Sequence, residues 1–352
     1  MPIKLSYEPL LSPKDTHGII HAPNWIGDHV MAFPFYEALR NNWKGRLTLL
    51  CREQVHSLTT PPFIDEKILI KDTHSIKYLL KLAHQIHTLS PTPAVSFCLP
   101  NSFSSALLFW MAHIPTRYGF AGLGNELLHT RSIRWGRKTS GPHESIRFLK
   151  LLTLYLSEST VNHALPSPLP LLSSAQTISN RSNVIVIAPL ASHPLRVWPY
   201  FEELLQKISN HFPDFKFVLV GKDSKNNMWS RKLIRIGNPN ITNLINQTSL
   251  DELSCLLSRA RLLIANDSGV AHLATLSATP SLVLFGPGNP QYIAPLSSQA
   301  MILRNASLPC SPCEKKHCHS PYGYQACLRT LPPAEVLKAA IKLLKPSHSK
   351  TS

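Results

Sequence analysis

At 352 residues the chain exceeds what one hydrophobic core usually supports, so two domains of about 150 to 200 residues are the natural division. With 43% apolar and 16% charged residues it reads as globular rather than disordered, and no stretch approaches the ~18 apolar residues of a membrane span. A formal net charge of +16, with 17 basic against 11 acidic residues in 1–170 and 19 against 9 in 171–352, would attract polyanions: nucleic acid, an anionic membrane surface or a phosphorylated glycolipid. The same charge also serves plain solubility. The opening MPIKLSYEPLLSPKD lacks an uninterrupted apolar core of secretory-signal length, which sets the expectation of a cytoplasmic protein.

In chain order, GIIHAP (18–23) reads as a short buried strand with Asn24 to Asp28 as its exit loop, and Val30 to Arg40 carries apolar residues at helical spacing. Strands are expected at Leu47–Cys51, Lys67–Ile70 and Ala94–Leu99, with an amphipathic helix at Ile76–Leu89. His74, His84 and His87 on or beside that helix read as solvated surface. The alternation predicts a parallel sheet covered by helices. A basic stretch then gathers Arg131, Arg134, Arg137, Lys138, Arg147 and Lys150 against the single acid Glu144, with Trp135 inside it. One aromatic among cations could grip single-stranded nucleic acid, but no helix-turn-helix, zinc-finger or RNP pattern accompanies it. Acidic lipid headgroups are the better fit. Ala164 to Asn183 is rich in Pro and Ser, lacks periodicity and reads as the interdomain linker.

A second series starts with Val184–Ala188 and continues through a helix at Tyr200–Asn210, a strand at Phe215–Val220, a turn at Gly221 and a helix at Ser249–Arg259. Next comes the most informative segment, RLLIANDSGVAHLATLSATPSLVLFGPGNP (261–290). An apolar run ends in Asn266-Asp267-Ser268-Gly269, a helix follows over Val270–Ser277, and a buried strand over Ser281–Phe285 closes the unit. Ligands of open parallel sheets bind at the carboxyl end of such a strand. Amides around Ser268, Gly269 and Val270 would be free to hold a phosphate, whereas the Asp267 carboxylate suits sugar hydroxyls. A ligand carrying both sugar and phosphate is implied. His272 lies one turn beyond Ser268 on the same helix face and reads either as a donor to that ligand or as a structural histidine.

Of seven cysteines, Cys51, Cys98 and Cys255 lie in or beside apolar runs and read as small core residues. Cys310, Cys313, Cys318 and Cys327 are clustered, and three readings stay open: a structural metal, disulfides, or reduced thiols packing an irregular loop. A last helix, Pro333 to Leu344, precedes a frayed tail.

NDSGVAHLA, followed by a strand and FGPGNP, resembles the donor-site motif of the ADP-heptose:lipopolysaccharide heptosyltransferase family (glycosyltransferase family 9). PNWIGDHVMAFPFYEAL (Pro23 to Leu39) is similar to that family's signature around its catalytic aspartate. LPNSFSSALLFWMAHIPTRYGF (Leu99 to Phe120) and CSPCEKKHCHSPYGYQACL (Cys310 to Leu328) resemble the heptosyltransferase II branch. The resemblance implies an α/β GT-B fold, two Rossmann-like domains facing a central cleft. The expected divisions are an acceptor domain over 1–165, a linker over 166–183 and a nucleotide-sugar domain over 184–332 that includes the cysteine-rich loop 310–327. A helix and tail over 333–352 would pack back on the first domain.

It also implies an inverting, metal-independent transfer of heptose from ADP-heptose to the lipopolysaccharide inner core, with no cofactor, at the cytoplasmic face of the inner membrane. The partners would be the donor, the lipid A core acceptor and the anionic membrane surface, with no nucleic acid. The family's catalytic base maps onto Asp28, which on the residues alone reads first as a helix N-cap before His29–Ala32. An aspartate is a weak base unless burial or acceptor contacts raise its pKa. Donor contacts map onto Ser192, Arg196, Asp267, Ser268, Gly269, Val270 and His272. Within ASHPLRVWP (191–199) the family usually has lysine where this chain has Arg196, which keeps the charge but changes its reach. Asp223 in GKDSKNN takes the place of a nucleoside-contacting acid. Asn101, Ser102, Ser104 and Arg117 are acceptor candidates, with helix capping as the rival role for Asn101 and Ser102. A nucleotide-sugar epimerase, a relative using another donor or acceptor, and a noncatalytic polyanion-binding protein are the alternatives.

Overall fold

A computed structural model of the chain describes residues 16–58, 63–71, 75–122, 124–134, 142–158, 181–223, 236 and 238–345. It divides into two compact units, Met1–Pro168 and Leu169–Ser352, each built on one six-stranded sheet.

In the first unit the strands are β1 (Gly18–His21), β2 (Leu47–Arg52), β3 (Glu66–Ile70), β4 (Val95–Cys98), β5 (Thr116–Ala121) and β6 (Arg131–Arg134). All pair in parallel, in the order β3-β2-β1-β4-β5-β6. Helices α1 (Ile26–Met31), α2 (Phe33–Asn42), α3 (Glu53–His56), α4 (Ile76–His87), α5 (Phe103–Met111) and α6 (Glu144–Glu158) connect and flank them. Sheets covered on both faces need apolar residues on both sides of a strand. Leu47, Leu49, Leu50 and Cys51, consecutive but for the buried Thr48, are all at 0% exposure. An aromatic cluster fills one side, with Phe97 stacked on Tyr118 at 5.3 Å between centroids and Phe35 and Tyr155 edge-on to Phe97.

The helix predicted as one piece over Val30–Arg40 is two. Pro34 has no N–H and its ring would clash one turn back, so α2 restarts with Pro34 in its first turn, after Ala32 closes α1.

The second unit repeats the pattern with β7 (Ser182–Ala188), β8 (Lys216–Leu219), β9 (Ile241–Asn243), β10 (Ala260–Asn266), β11 (Ser281–Leu284) and β12 (Ala300–Leu303). Its helices are α7 (Phe201–His211), α8 (Leu250–Arg259), α9 (Gly269–Leu276), α10 (Pro290–Ile293), α11 (Ala326–Arg329) and α12 (Pro333–Leu344). The sheet order β12-β11-β10-β7-β8-β9 is the same winding as the first, counted from each unit's own first strand. In both, the chain starts in mid-sheet, winds outward one way, then returns to wind the other. The switch points lie between β1 and β4 and between β7 and β10, and the crevice at the carboxyl ends there is where such sheets bind ligands.

Strands β5, β6, β9 and β12 were not anticipated. β6, β9 and β12 are edge strands of three or four residues with little full burial, and β5 carries Arg117 and Gly119 within it. The α12 helix is part of the second unit's core: Val336 and Ala340 are buried there with Phe201, Leu204 and Leu284. Among the described residues no helix is long and apolar enough to cross a membrane.

The proposed linker, mostly outside the described residues, ends in a structural anchor. Arg181 is 5% exposed, and its guanidinium donates to the carbonyls of Leu257, Ser258, Ala260, Ser277 and Ala278 at 3.0–3.3 Å. It thereby ties the entry of β7 to the ends of α8 and α9. Replacing it by an apolar side chain would leave buried carbonyls unpaired, each worth about 1–3 kcal/mol. Arg181→Met is expected to lower stability by roughly 3 kcal/mol or more in urea denaturation. An unchanged midpoint would show that the carbonyls find other partners.

Candidate active site

The crevice of the second unit is assembled around the end of β10. Asn266 is fully buried, and its amide works in both directions: Nδ2 donates to the Pro189 carbonyl at 2.8 Å, and Oδ1 accepts from the Trp198 amide at 2.9 Å. Both ends of the loop that leaves β7 are thereby stapled to the neighbouring strand. Within that loop Pro194–Arg196 forms one 3-10 turn, capped by His193 Nδ1 accepting from the Leu195 amide at 3.3 Å. The turn brings Arg196 Nη1 to 3.2 Å from Asp267 Oδ2.

Asp267 is 3% exposed while Arg196 is 35% exposed. The distance makes an ion pair, although the oxygen lacks an aligned hydrogen bond. Burial pushes the Asp267 carboxyl up to about 6; Arg196 works against that shift and Glu314 adds to it. Gly288, from the loop after β11, is what admits the carboxylate, because a Cβ there would collide with Asp267 Oδ2. The carboxylate that the sequence suits to sugar hydroxyls is also the partner of the guanidinium.

The next residues open the start of α9. Ser268 occupies the N-cap position, yet its hydroxyl caps nothing and is buried without a hydrogen-bond partner. The amides of Gly269 and Val270 have no intrahelical acceptor, and the helix dipole adds partial positive charge. A hydroxyl, open amides and Arg196 together suit a phosphate group. His272, one turn on, is buried at 4% exposure, and Ser192 is exposed on the β7 exit loop. Asp223, beyond β8, has its backbone pinned by Asn246, which accepts from the Asp223 amide at 2.7 Å.

The first unit gives a different result. Asp28 is half-buried in the first turn of α1 at the switch point, and the N-cap is Trp25, so the capping role is excluded for Asp28. Its neighbour His29 is fully buried and depressed to about 3, by burial first and Lys67 second, which leaves a neutral, inaccessible imidazole. Ser102, by contrast, is a helix cap: its hydroxyl accepts from the Ser105 amide at 3.2 Å at the start of α5. Arg117 also makes bonds within the fold. Its Nε donates to the Leu128 carbonyl at 2.7 Å and its Nη1 to the Ile114 carbonyl at 2.5 Å, so these two donors serve the fold. Asn101 accepts at Oδ1 from the buried Asn125 at 3.3 Å. The basic stretch is likewise thinner than its sequence. Arg147 lies over Phe120 and Phe148 and pairs with Glu144 at 2.7 Å, while Trp135, Arg137 and Lys138 fall outside the described residues.

Sequence reasoning missed the role of the cysteine-rich segment. All seven thiols are free, Cys51 and Cys98 are buried as expected, and Cys255 is exposed, not core. Cys310, Cys313, Cys318 and Cys327 line a cavity of about 140 Å³. Cys327 is pushed up to about 11, chiefly by burial and then by Cys313. Among the described residues no group of three or more His, Cys, Asp or Glu side chains is arranged to hold a metal. The segment also braces the site loops. Ser311 Oγ donates to the Gly286 carbonyl at 2.8 Å, the Glu314 amide to the Pro287 carbonyl at 2.8 Å, and Gln325 reaches the Arg196 turn. Asn266 could have been suspected from its place in NDSG; nothing in the sequence marks Gln325.

The sequence model of Glycosyltransferase family 9 (heptosyltransferase) matches residues 95–322. The chain is 25% identical over 337 residues to lipooligosaccharide heptosyltransferase 2 of Campylobacter jejuni, covering 94% of this chain and 98% of that one. To lipopolysaccharide heptosyltransferase 2 of Salmonella typhimurium it is 25% identical over 315 residues, 81% of this chain and 87% of the relative. The structure of Escherichia coli ADP-heptose lipopolysaccharide heptosyltransferase II superposes with a TM-score of 0.74 at 24% identity, over 94% of this chain and 98% of that chain. That likeness shows the two-sheet α/β fold, of the GT-B kind expected from the sequence.

Because the folded Asp267 titrates near 6, against 3.8 ordinarily, its contribution to stability is complete below about 4 and is lost as pH rises through 6. Asp267→Asn removes that loss. Its advantage over the native chain should be absent near pH 4 and grow to as much as about 3 kcal/mol by pH 7.5. Thermal unfolding of both proteins across that range would show it, and a gap that does not change with pH would contradict the buried-charge account.

Proposed function

The chain belongs to glycosyltransferase family 9, the heptosyltransferase family, and on that premise we propose that it transfers heptose from ADP-heptose to the inner core of a lipopolysaccharide. The relatives' own names, heptosyltransferase 2, support an acceptor of the lipopolysaccharide or lipooligosaccharide class. The observation that carries the donor reading is the pairing of Arg196 with buried Asp267 beside the open start of α9.

In the proposed reaction an acceptor hydroxyl attacks the anomeric carbon of the donor heptose from the face opposite the diphosphate. The new carbon–oxygen bond forms as the bond to the β-phosphate oxygen breaks, with inversion, and ADP leaves with the bonding pair. Asp28 takes the acceptor's proton. Its half-exposed place at the first unit's switch point supports this role, and the buried neutral His29 is a poor rival. Charge growing on the leaving diphosphate would be met by Arg196, the Ser268 hydroxyl and the Gly269 and Val270 amides, a preorganised set that requires no metal ion. The net charge of +16 supports work at an anionic surface, here the cytoplasmic face of the inner membrane.

The test is mass spectrometry of acceptors bearing no heptose or one heptose on a Kdo–lipid A core, incubated with ADP-heptose. A gain of one heptose is expected, and the preferred acceptor identifies the step. In Asp28→Asn the rate should drop by roughly 10²–10⁴, with ADP binding retained. No gain on either acceptor by folded protein would sink the substrate assignment, and full activity in Asp28→Asn would sink the base.

A further inference from the structure

Gln325 stands where an L-residue is seldom found. Its backbone is left-handed, at φ 55° and ψ 33°, and its side chain is buried at 6% exposure. Glycine would hold that turn more comfortably. What glycine lacks is the carboxamide, whose Nε2 lies 3.3, 3.1 and 2.8 Å from the carbonyls of Pro194, Leu195 and Val197. Those three peptides surround Arg196. Two N–H groups shared among three acceptors hold the backbone on both sides of the cation.

Asn266 in turn holds Pro189 and Trp198, while Trp198 Nε1 donates to the Leu331 carbonyl at 3.0 Å. The Gln325 amide itself donates to Cys318 Sγ at 3.2 Å, which links the brace to the thiol-lined cavity.

We propose that Gln325 is a positioning residue for Arg196, and that the cysteine-rich segment 310–327 serves as the rigid wall from which it acts. The inference rests on the donor-site reading, in which Arg196 meets the diphosphate. Fixing a cation before its ligand arrives spares the ordering cost at binding. An Arg196 turn without the Gln325 brace keeps its charge and loses its aim.

ADP titrated calorimetrically into the full-length protein tests this. Gln325→Gly relieves the backbone and removes the carboxamide; Gln325→Asn tolerates the left-handed turn and keeps a carboxamide one methylene too short. Both variants should remain folded at the assay temperature, checked by thermal unfolding, and bind ADP on the order of tenfold more weakly. In an Arg196→Ala background, already weakened, Gln325→Gly should cause no further loss, because its effect runs through the missing guanidinium. Native affinity in both Gln325 variants would overturn the proposal alone, as would an equal loss with and without Arg196. Failure of the native protein to bind ADP would overturn the donor-site reading, and this proposal with it.

Discussion

A carboxylate held at 3% exposure beside one half-exposed guanidinium is an unfavourable arrangement in a protein interior, and the second unit's site is built around it. Moving a charge out of water costs several kcal/mol, and a single ion pair seldom returns the whole amount. Asp267 has the ion pair but not the full set of hydrogen bonds that would make it comfortable, and its raised pKa expresses that deficit. Much around it enforces the placement: Gly288 leaves it room, Asn266 fixes the strand end before it, and the stapled β7 exit loop delivers Arg196. Such local cost, maintained by surrounding order, is characteristic of sites that act on ligands rather than of sites that merely stabilise.

The start of α9 carries the same signature. Four helices of the described structure have serine at the N-cap: Ser75, Ser102, Ser249 and Ser268. The first three accept a hydrogen bond from the amide three residues on, and Ser249 completes a reciprocal capping box with Glu252. Ser268 alone among them leaves its hydroxyl buried and unused. A cap commonly contributes about 1 kcal/mol, so forgoing one is a measurable loss that a ligand can restore. Residue type, helix position and extended backbone are common to all four, so the difference lies in what surrounds the Ser268 side chain.

This contrast explains what could and could not be read from the residues. Apolar runs such as VIVIA (184–188) and LLIA (262–265) and helices with full-length amphipathic stripes were legible, because burial on both faces of a parallel sheet leaves a continuous hydrophobic signature. Edge strands such as ITN (241–243) were not, since pairing on one side only asks little of the side chains. At the site, the NDSG turn announced itself. Whether a given serine caps or waits, and where the Arg117 donors go, depends on how the folded chain surrounds the side chain, as when Leu128, 11 residues on, accepts from Arg117. Gln325 was invisible for a stronger reason. Its three acceptors are backbone carbonyls about 130 residues earlier in the chain, and carbonyls carry no sequence identity.

The choice of arginine at position 196 follows from the same geometry. An ammonium group is a compact point charge, and one held by Asp267 would be largely neutralised toward a second anion. A guanidinium is planar and offers five N–H donors in a fixed fork. With Nη1 turned to Asp267 at 3.2 Å, the remaining donors are aimed by the plane of the fork rather than by a flexible stem. The carboxylate can then orient the cation without consuming it, provided the peptide that carries Arg196 does not move. Asn266 holds the two ends of that loop at Pro189 and Trp198, and Gln325 holds the carbonyls on either side of Arg196, so the cation sits on a loop anchored around it.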